Sequence, residues 1–346
     1  MTRRWKHRPE GSTWGDWGDD DQLGRLNLLT PRKVLEGIAE VREGIAFSLS
    51  LPLDFPGGNV VNPRRFPPVL SPTVEEGCIC FNFPMSRKDP ANDDVLSDDK
   101  VVLHTQYSTQ WDSFAHVGAY FDADGDGEPE AVYYNGFRAN QHVTGPVEYL
   151  GAAIRERGAH HGATSLAISN MARTGVQGRG VLVDLLRTFG EGRHYVGMDG
   201  LAQAMREQDV QVEPGDMLLL RTGYTEAMVR MDRKPDIDVL NRTGCVLDGR
   251  DASLLDWITR SGVAALISDN YAVEGLPARA QEGRRPALPL HQHCLFKLGV
   301  PLGEMWWLAD LAEWLHAHGR TKFLLTAPPL NLPGAVGSPV TPVATV

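Results

Sequence analysis

The densest group of side chains able to do chemistry lies in "HTQYSTQWDSFAHV", residues 104 to 117. His104, Gln106, Gln110, Asp112 and His116 all carry even numbers, and on an extended chain even positions share one face. Imidazole, amide and carboxylate groups on one face could hold a cation or move a proton. A helix would not gather them, because Gln106 and Asp112 would lie about 240° apart around its axis. A straight strand fails too, since it sets Gln106 and Gln110 about 13 Å apart, beyond the reach of one ion. The chain is therefore expected to bend near Ser108 and Thr109. An edge strand with a solvated polar face would carry the same pattern, so the pattern alone does not decide.

A second cluster lies in "LPLHQHCLFKLGVPLGEMWWL", with His291, His293 and Glu304. Each histidine taken alone reads as a surface or structural residue. Glu304 has apolar neighbours, where a carboxylate needs a partner or a metal. Other motifs carry less. Cys78 and Cys80 are spaced like a thiol metal pair, but no second pair completes four ligands, and Cys245 and Cys294 are isolated. All four read as buried structural thiols. "DADGDGEPEAVY" from Asp122 begins like a calcium loop, yet Tyr133 stands where that loop needs a bidentate Glu, so it reads as a solvated turn. The sequence holds no phosphate loop and no nucleophile elbow, and "GVQGRG" reads as a turn before a strand.

The elements that must position these residues alternate. Residues 1–30 form an irregular arm anchored by Trp5, Trp14 and Trp17. Thr30 caps and Pro31 opens a helix through about Glu43. "IAFSLSL" is a strand, and the Pro- and Gly-rich residues 56–72 are a loop longer than the usual connection, suited to a lid or a subunit contact. "PVEYLGAAIRERG" is expected to be a helix, "GVLVDLL" a buried strand, and "VEPGDMLLLRTG" a turn and strand. "DASLLDWITRSG" is a helix closed by Gly262, and "VAALISD" a strand. "PLHQHCLFKLG" and "WWLADLAEWLHAHG" are helical, and "TKFLLTA" is a late strand. The sum is an α/β core with an irregular N-terminal third, read as one domain over 1–346.

Composition limits the partners. The 346 residues are 42% hydrophobic and 23% charged, the balance of a globular protein. A net charge of −10 argues against nucleic acid, which needs a basic footprint. No run approaches the ~18 apolar residues of a membrane span. The first twenty residues hold no apolar signal core, so a cytoplasmic location is expected.

Taken together, the two clusters resemble the cyclase-like metal-dependent hydrolase family, which includes bacterial kynurenine formamidase and isatin hydrolase. The family signature is H-x-G-T-H-x-D-x-P-x-H, with a downstream His and Glu completing the metal site. The matching stretch here is "QYSTQWDSFAH". "WGDDDQLGRLNLLTP", "YYNG", "GRGVLVDL", "PGDMLLLRTGY", "ISDNYAVEGLP" and "GSPVTPVA" also fit, in order, over nearly the whole chain. The resemblance implies a single α/β domain of swivelling β/β/α type, with a mixed sheet, flanking helices and an irregular N-terminal arm. It also implies a homodimer or homotetramer.

Carried over by position, Asp112 matches the bridging aspartate, His116 the general acid/base, and His291 and Glu304 the downstream ligands. Gln106 and Gln110 stand where the family has histidines, Ser108 replaces the Gly and Phe114 the Pro. With Gln106 and Gln110 as metal ligands beside Asp112, His291 and Glu304, the site becomes oxygen-rich. That favours Mn²⁺ or Mg²⁺ over Zn²⁺, with Mn²⁺ the leading expectation, or leaves no metal at all. The implied function is hydrolysis of a C–N amide or lactam, or a related ester or lactone. Trp111 and Phe114 beside the motif suit a small cyclic or aryl substrate, with Phe114 as a substrate contact. The alternative is a metal-free member that binds, cyclises or dehydrates a small molecule.

Overall fold

Among residues 3–150, 153–158 and 160–346, which the computed structural model describes, nine strands build one mixed sheet. They are β1 (Ala46–Ser48), β2 (Gln110–Asp112), β3 (Gln177–Asp184), β4 (Met217–Arg221), β5 (Ala265–Ser268), β6 (Leu302–Glu304), β7 (Lys322–Thr326), β8 (Gly337–Pro339) and β9 (Val343–Thr345). Their order across the sheet is β1-β9-β7-β3-β4-β5-β6-β2-β8. β3 to β6 run parallel, and the pairs on either side are antiparallel. A bridge from Ser50, beyond β1, to Trp306, beyond β6, ties distant strands together and curls the sheet.

The parallel strands are apolar runs because both of their faces are covered. Leu182, Leu219 and Ile267 enter one core together with Trp111 and Trp306. Val181, Val183, Leu218, Leu220 and Leu266 enter the other. Helix α1 (Pro31–Ile38) is capped by Thr30, whose hydroxyl accepts from Lys33 N–H. Helix α2 (Ala252–Ser261) buries Leu254 and Ile258 in one core, and helix α3 (Ala309–Ala317) buries Leu311 and Leu315 in the other. Burying each such side chain contributes about 1.5–3 kcal/mol, which makes the sheet a rigid platform for its strand ends. The chain is thus a single α/β domain, a curled mixed sheet flanked by helices. No helix among the described residues is long and apolar enough to cross a membrane.

The N-terminal arm is irregular but anchored. Trp14 is buried and donates from Nε1 to the Phe296 carbonyl at 2.8 Å, and Trp5 donates to Asn135 Oδ1 at 3.2 Å. Trp17 is only half-buried. Asn135 Nδ2 lies 3.0–3.2 Å from the carbonyls of Gly18, Asp19 and Asp21, so one side chain organises the arm.

Three expectations are corrected. Within "PVEYLGAAIRERG", Val147–Leu150 pairs antiparallel with Ala153–Glu156, so these residues are strands and not a helix, while residues 151–152 lie outside the described residues. Pro146 can open a strand as readily as a helix. Tyr149 pairs with Ile154 across the strands, and Glu148 accepts from Arg155 at 3.2 Å. These cross-strand contacts favour the paired strands over helical spacing. The 56–72 segment is a loop only in its first part, since Val69–Pro72 pairs with Asp99–Val102. Helix α1 also ends early, at Ile38, and the N–H groups of Glu43 and Gly44 bond instead to the Val346 carbonyl.

Candidate metal centre

Gln110 and Asp112 leave one face of β2, while Trp111 between them turns into the core, 5.1 Å edge-on to Trp306. β6 lies antiparallel beside it, with Glu304 opposite Gln110. After Glu304 the chain turns through Met305, whose φ of 55° is left-handed and uncommon for a non-glycine residue. The Asn270 carbonyl accepts from Met305 N–H at 2.9 Å, and Thr109 Oγ1 donates to the Met305 carbonyl at 2.6 Å. These bonds fix the strand end that carries Glu304.

His291 arrives from a third direction, at the end of the short helix Pro289–His291, which continues as the π-helix Gln292–Leu298. Such wide turns often mark functional sites. Glu274 holds it in place. Glu274 Oε1 accepts from His291 N–H at 2.9 Å and lies 2.8 Å from Nδ1, and Oε2 accepts from Leu290 N–H at 3.0 Å. A carboxylate accepts, so Nδ1 carries the proton and Nε2 faces Glu304 Oε1 at 3.2 Å and Asp112 Oδ2 at 3.8 Å.

The ligand atoms of Asp112, His291 and Glu304 lie within 4.8 Å of one another, and all three residues are buried. Among the described residues, Asp112 Oδ2 and Glu304 Oε1 have no hydrogen-bond partner, nor has Gln110 Oε1. Leaving such oxygens unsatisfied costs about 1–3 kcal/mol each, and more when charged. One imidazole nitrogen and two carboxylates are a normal donor set for a divalent ion, so the residues fit a metal. Burial, and then the neighbouring Asp112, push the Glu304 carboxyl up from the usual range. Burial alone would lower His291, but Glu274 and Glu304 outweigh it and raise the group. The cluster is built to bind positive charge.

His116 reaches this centre by a turn. Its N–H donates to the Ser113 carbonyl at 3.0 Å, which brings Nε2 to 3.9 Å from Asp112 Oδ2. Its side chain is 23% exposed, against 4% or less for His291, Glu304 and Asp112. Burial lowers its pKa, Asp112 opposes this, and His291, Arg65 and Arg64 add to it. The long loop touches the centre through Arg65, which donates to the Gln106 carbonyl at 2.6 Å.

Other sequence candidates lie elsewhere. His104 is exposed beside Phe66, and His293 is a structural residue with Nε2 2.9 Å from Thr259 Oγ1. Phe114 is buried in the core, 5.2 Å from the Tyr134 ring. Asp122, Asp124 and Glu130 gather, but Asp122 caps its own turn by accepting from Gly125, Asp126 and Gly127 N–H, and Arg138 pairs with Glu130 at 3.0 Å. Sequence reasoning missed Glu274. A carboxylate between Val273 and Gly275 in a strongly apolar stretch carried the same signal that singled out Glu304.

A family profile described as "Putative cyclase" matches residues 47–275. The chain belongs to the cyclase family. Among solved structures, one described as a novel cyclase is 31% identical over 97% of both chains, with a TM-score of 0.73. Two isatin hydrolases share the fold. Isatin hydrolase A from Labrenzia aggregata, bound to benzyl benzoate, is 12% identical over 90% of this chain and 97% of that one, with a TM-score of 0.54. An isatin hydrolase bound to the product analogue thioisatinate is 13% identical over 92% and 99%, with a TM-score of 0.54. No curated protein sequence matches this chain.

The glutamine-based reading of this cyclase-family site is overturned. The cluster retains a histidine, His291, and its ligand atoms come from His, Asp and Glu. Gln106 and Gln110 turn their amide nitrogens to the carboxylates. Gln106 Nε2 donates to Asp112 Oδ1, and Gln110 Nε2 donates to Glu304 Oε2 at 2.6 Å. An amide facing a carboxylate must present its N–H₂. The Mn²⁺ preference argued from glutamine oxygens therefore falls with them. Gly337, opposite Asp112 on β8, leaves the space that the Gln106 side chain fills.

Proposed function

We propose that this cyclase-family protein is a metal-dependent hydrolase of a C–N amide or lactam, or a related ester or lactone, in a small cyclic or aryl substrate. The observation that carries this reading is the pair of buried carboxylate oxygens, Asp112 Oδ2 and Glu304 Oε1, that have no hydrogen-bond partner among the described residues and face His291 Nε2. Asp112, His291 and Glu304 would hold the ion. A divalent cation there supplies Lewis acidity toward a carbonyl and lowers the pKa of water. Gln106 and Gln110 orient the two carboxylates, and Glu274 orients the imidazole. His116, kept neutral by burial, takes a proton at Nε2 from the attacking water and passes it to the leaving group. The isatin hydrolases that share the fold suggest the lactam and aryl character of the substrate.

The test is a panel of small lactams, aryl amides and lactones, assayed with chelated and metal-reloaded protein. Hydrolysis lost on chelation and restored by a divalent ion is expected. Turnover that survives chelation and the Asp112→Asn change would refute the reading.

A further inference from the structure

A cavity of about 280 Å³ shares Glu274 with the metal centre, since Glu274 both lines it and holds His291. Asp112, His291 and Glu304 do not line it, so an occupant is not held at the reacting centre. Val61, Ile237, Val246 and Pro277 give it an apolar side, and its polar lining includes Arg193 and Tyr224 beside Asn241, Asn270 and Tyr271.

Arg193 and Tyr224 have bonding capacity to spare. Tyr224 is 4% exposed, and its hydroxyl has no hydrogen-bond partner among the described residues. Among the described residues the Arg193 guanidinium makes one long bond, at 3.4 Å, to the Leu276 carbonyl, and it lies 5.8 Å from the Tyr195 ring. No carboxylate among the described residues comes within ion-pair distance of it. Glu274 does not answer this charge, since both its oxygens already serve Leu290 and His291.

A guanidinium offers parallel N–H groups that match a carboxylate, and a phenol can donate to the same group. Pockets of this size with a few convergent polar groups and an apolar wall take small ligands. Arg193 is the one cationic residue among the described lining, which suits a single negative charge better than a phosphate dianion. We propose that this cavity binds a small planar monocarboxylate. Arg193 grips the carboxylate, Tyr224 donates to it, and Val61, Ile237 and Val246 pack on the ring.

The site does not depend on the metal, so the test uses chelator-treated full-length protein with benzoate as the probe, read by calorimetric titration. Saturable binding with a Kd of about 1 mM or tighter is expected for a ligand of this size. Arg193→Met should weaken it about tenfold or more, and Tyr224→Phe, which removes one oxygen and keeps the fold, by about threefold. Benzyl alcohol and inorganic phosphate should not compete. Benzoate affinity within twofold of wild type in either variant, no saturable binding to wild type, or equal binding of benzyl alcohol or phosphate overturns the proposal.

Discussion

Glu274 grips His291 twice through one oxygen, at 2.9 Å to its backbone N–H and 2.8 Å to its Nδ1. Backbone and ring are thereby fixed by one carboxylate, and Nε2 is aimed at Asp112 and Glu304. Partners of this kind are typically worth 10–100-fold in metal affinity. Glu274→Ala is therefore expected to weaken Zn²⁺ and Mn²⁺ binding by about that factor, and Glu274→Gln, which keeps an acceptor for Nδ1, by less. Titration of chelator-treated protein checks this, and equal affinity in wild type and Glu274→Ala would show that Glu274 does not position the ligand.

Gly249 makes room for this carboxylate. A Cβ there would collide with Glu274 Oε2, and would sit 2.8 Å from Pro289 Cγ and 3.0 Å from Leu290 N. Gly249→Ala should cost about 1–3 kcal/mol in denaturant unfolding, as overpacking does. Adding Glu274→Ala removes the main clash, so the double variant should lose less than the sum of the single changes. Strict additivity would place the strain elsewhere.

His116 stands beside the centre, 3.9 Å from Asp112, and is its most exposed member. His116→Ala should lower turnover about 10²–10⁴-fold, the usual range for general acid–base catalysis, with metal content unchanged. Loss of metal in parallel with activity would make His116 a ligand.

The segment around residues 69–102 carries exposed Val69, Leu70, Val101 and Val102 on paired strands. Apolar surface gathered in this way marks contact surfaces. Light scattering at micromolar concentration is expected to show a dimer or tetramer that Leu70→Asp with Val102→Asp dissociates. A wild-type monomer would contradict this.

Even-numbered residues do share a face where the chain is extended, as Gln110 and Asp112 do on β2. His104 lies before the bend and outside the site, and His116 returns through a turn that parity does not describe. Spacing could locate Gln106 and Gln110 but could not tell which end of each amide faces inward. That depends on the carboxylates opposite, which come from the pairing of β2 with β6. The paired strands Val147–Leu150 and Ala153–Glu156 follow Pro146 and mix apolar and charged residues in a way that also satisfies helix start signals. The deciding cross-strand pairs, Tyr149 with Ile154 and Glu148 with Arg155, are visible only in three dimensions.

The central claim is that Asp112, His291 and Glu304 form one metal site. Its most direct test is metal content per chain, measured by plasma mass spectrometry after Zn²⁺ or Mn²⁺ loading and desalting, in wild type, Asp112→Asn and Glu304→Gln. About one ion per wild-type chain and strong loss in both variants are expected, because each removes a charged donor from a three-donor set. Wild-type protein that retains no ion, or variants that retain as much as wild type while circular dichroism shows all three folded, would contradict it.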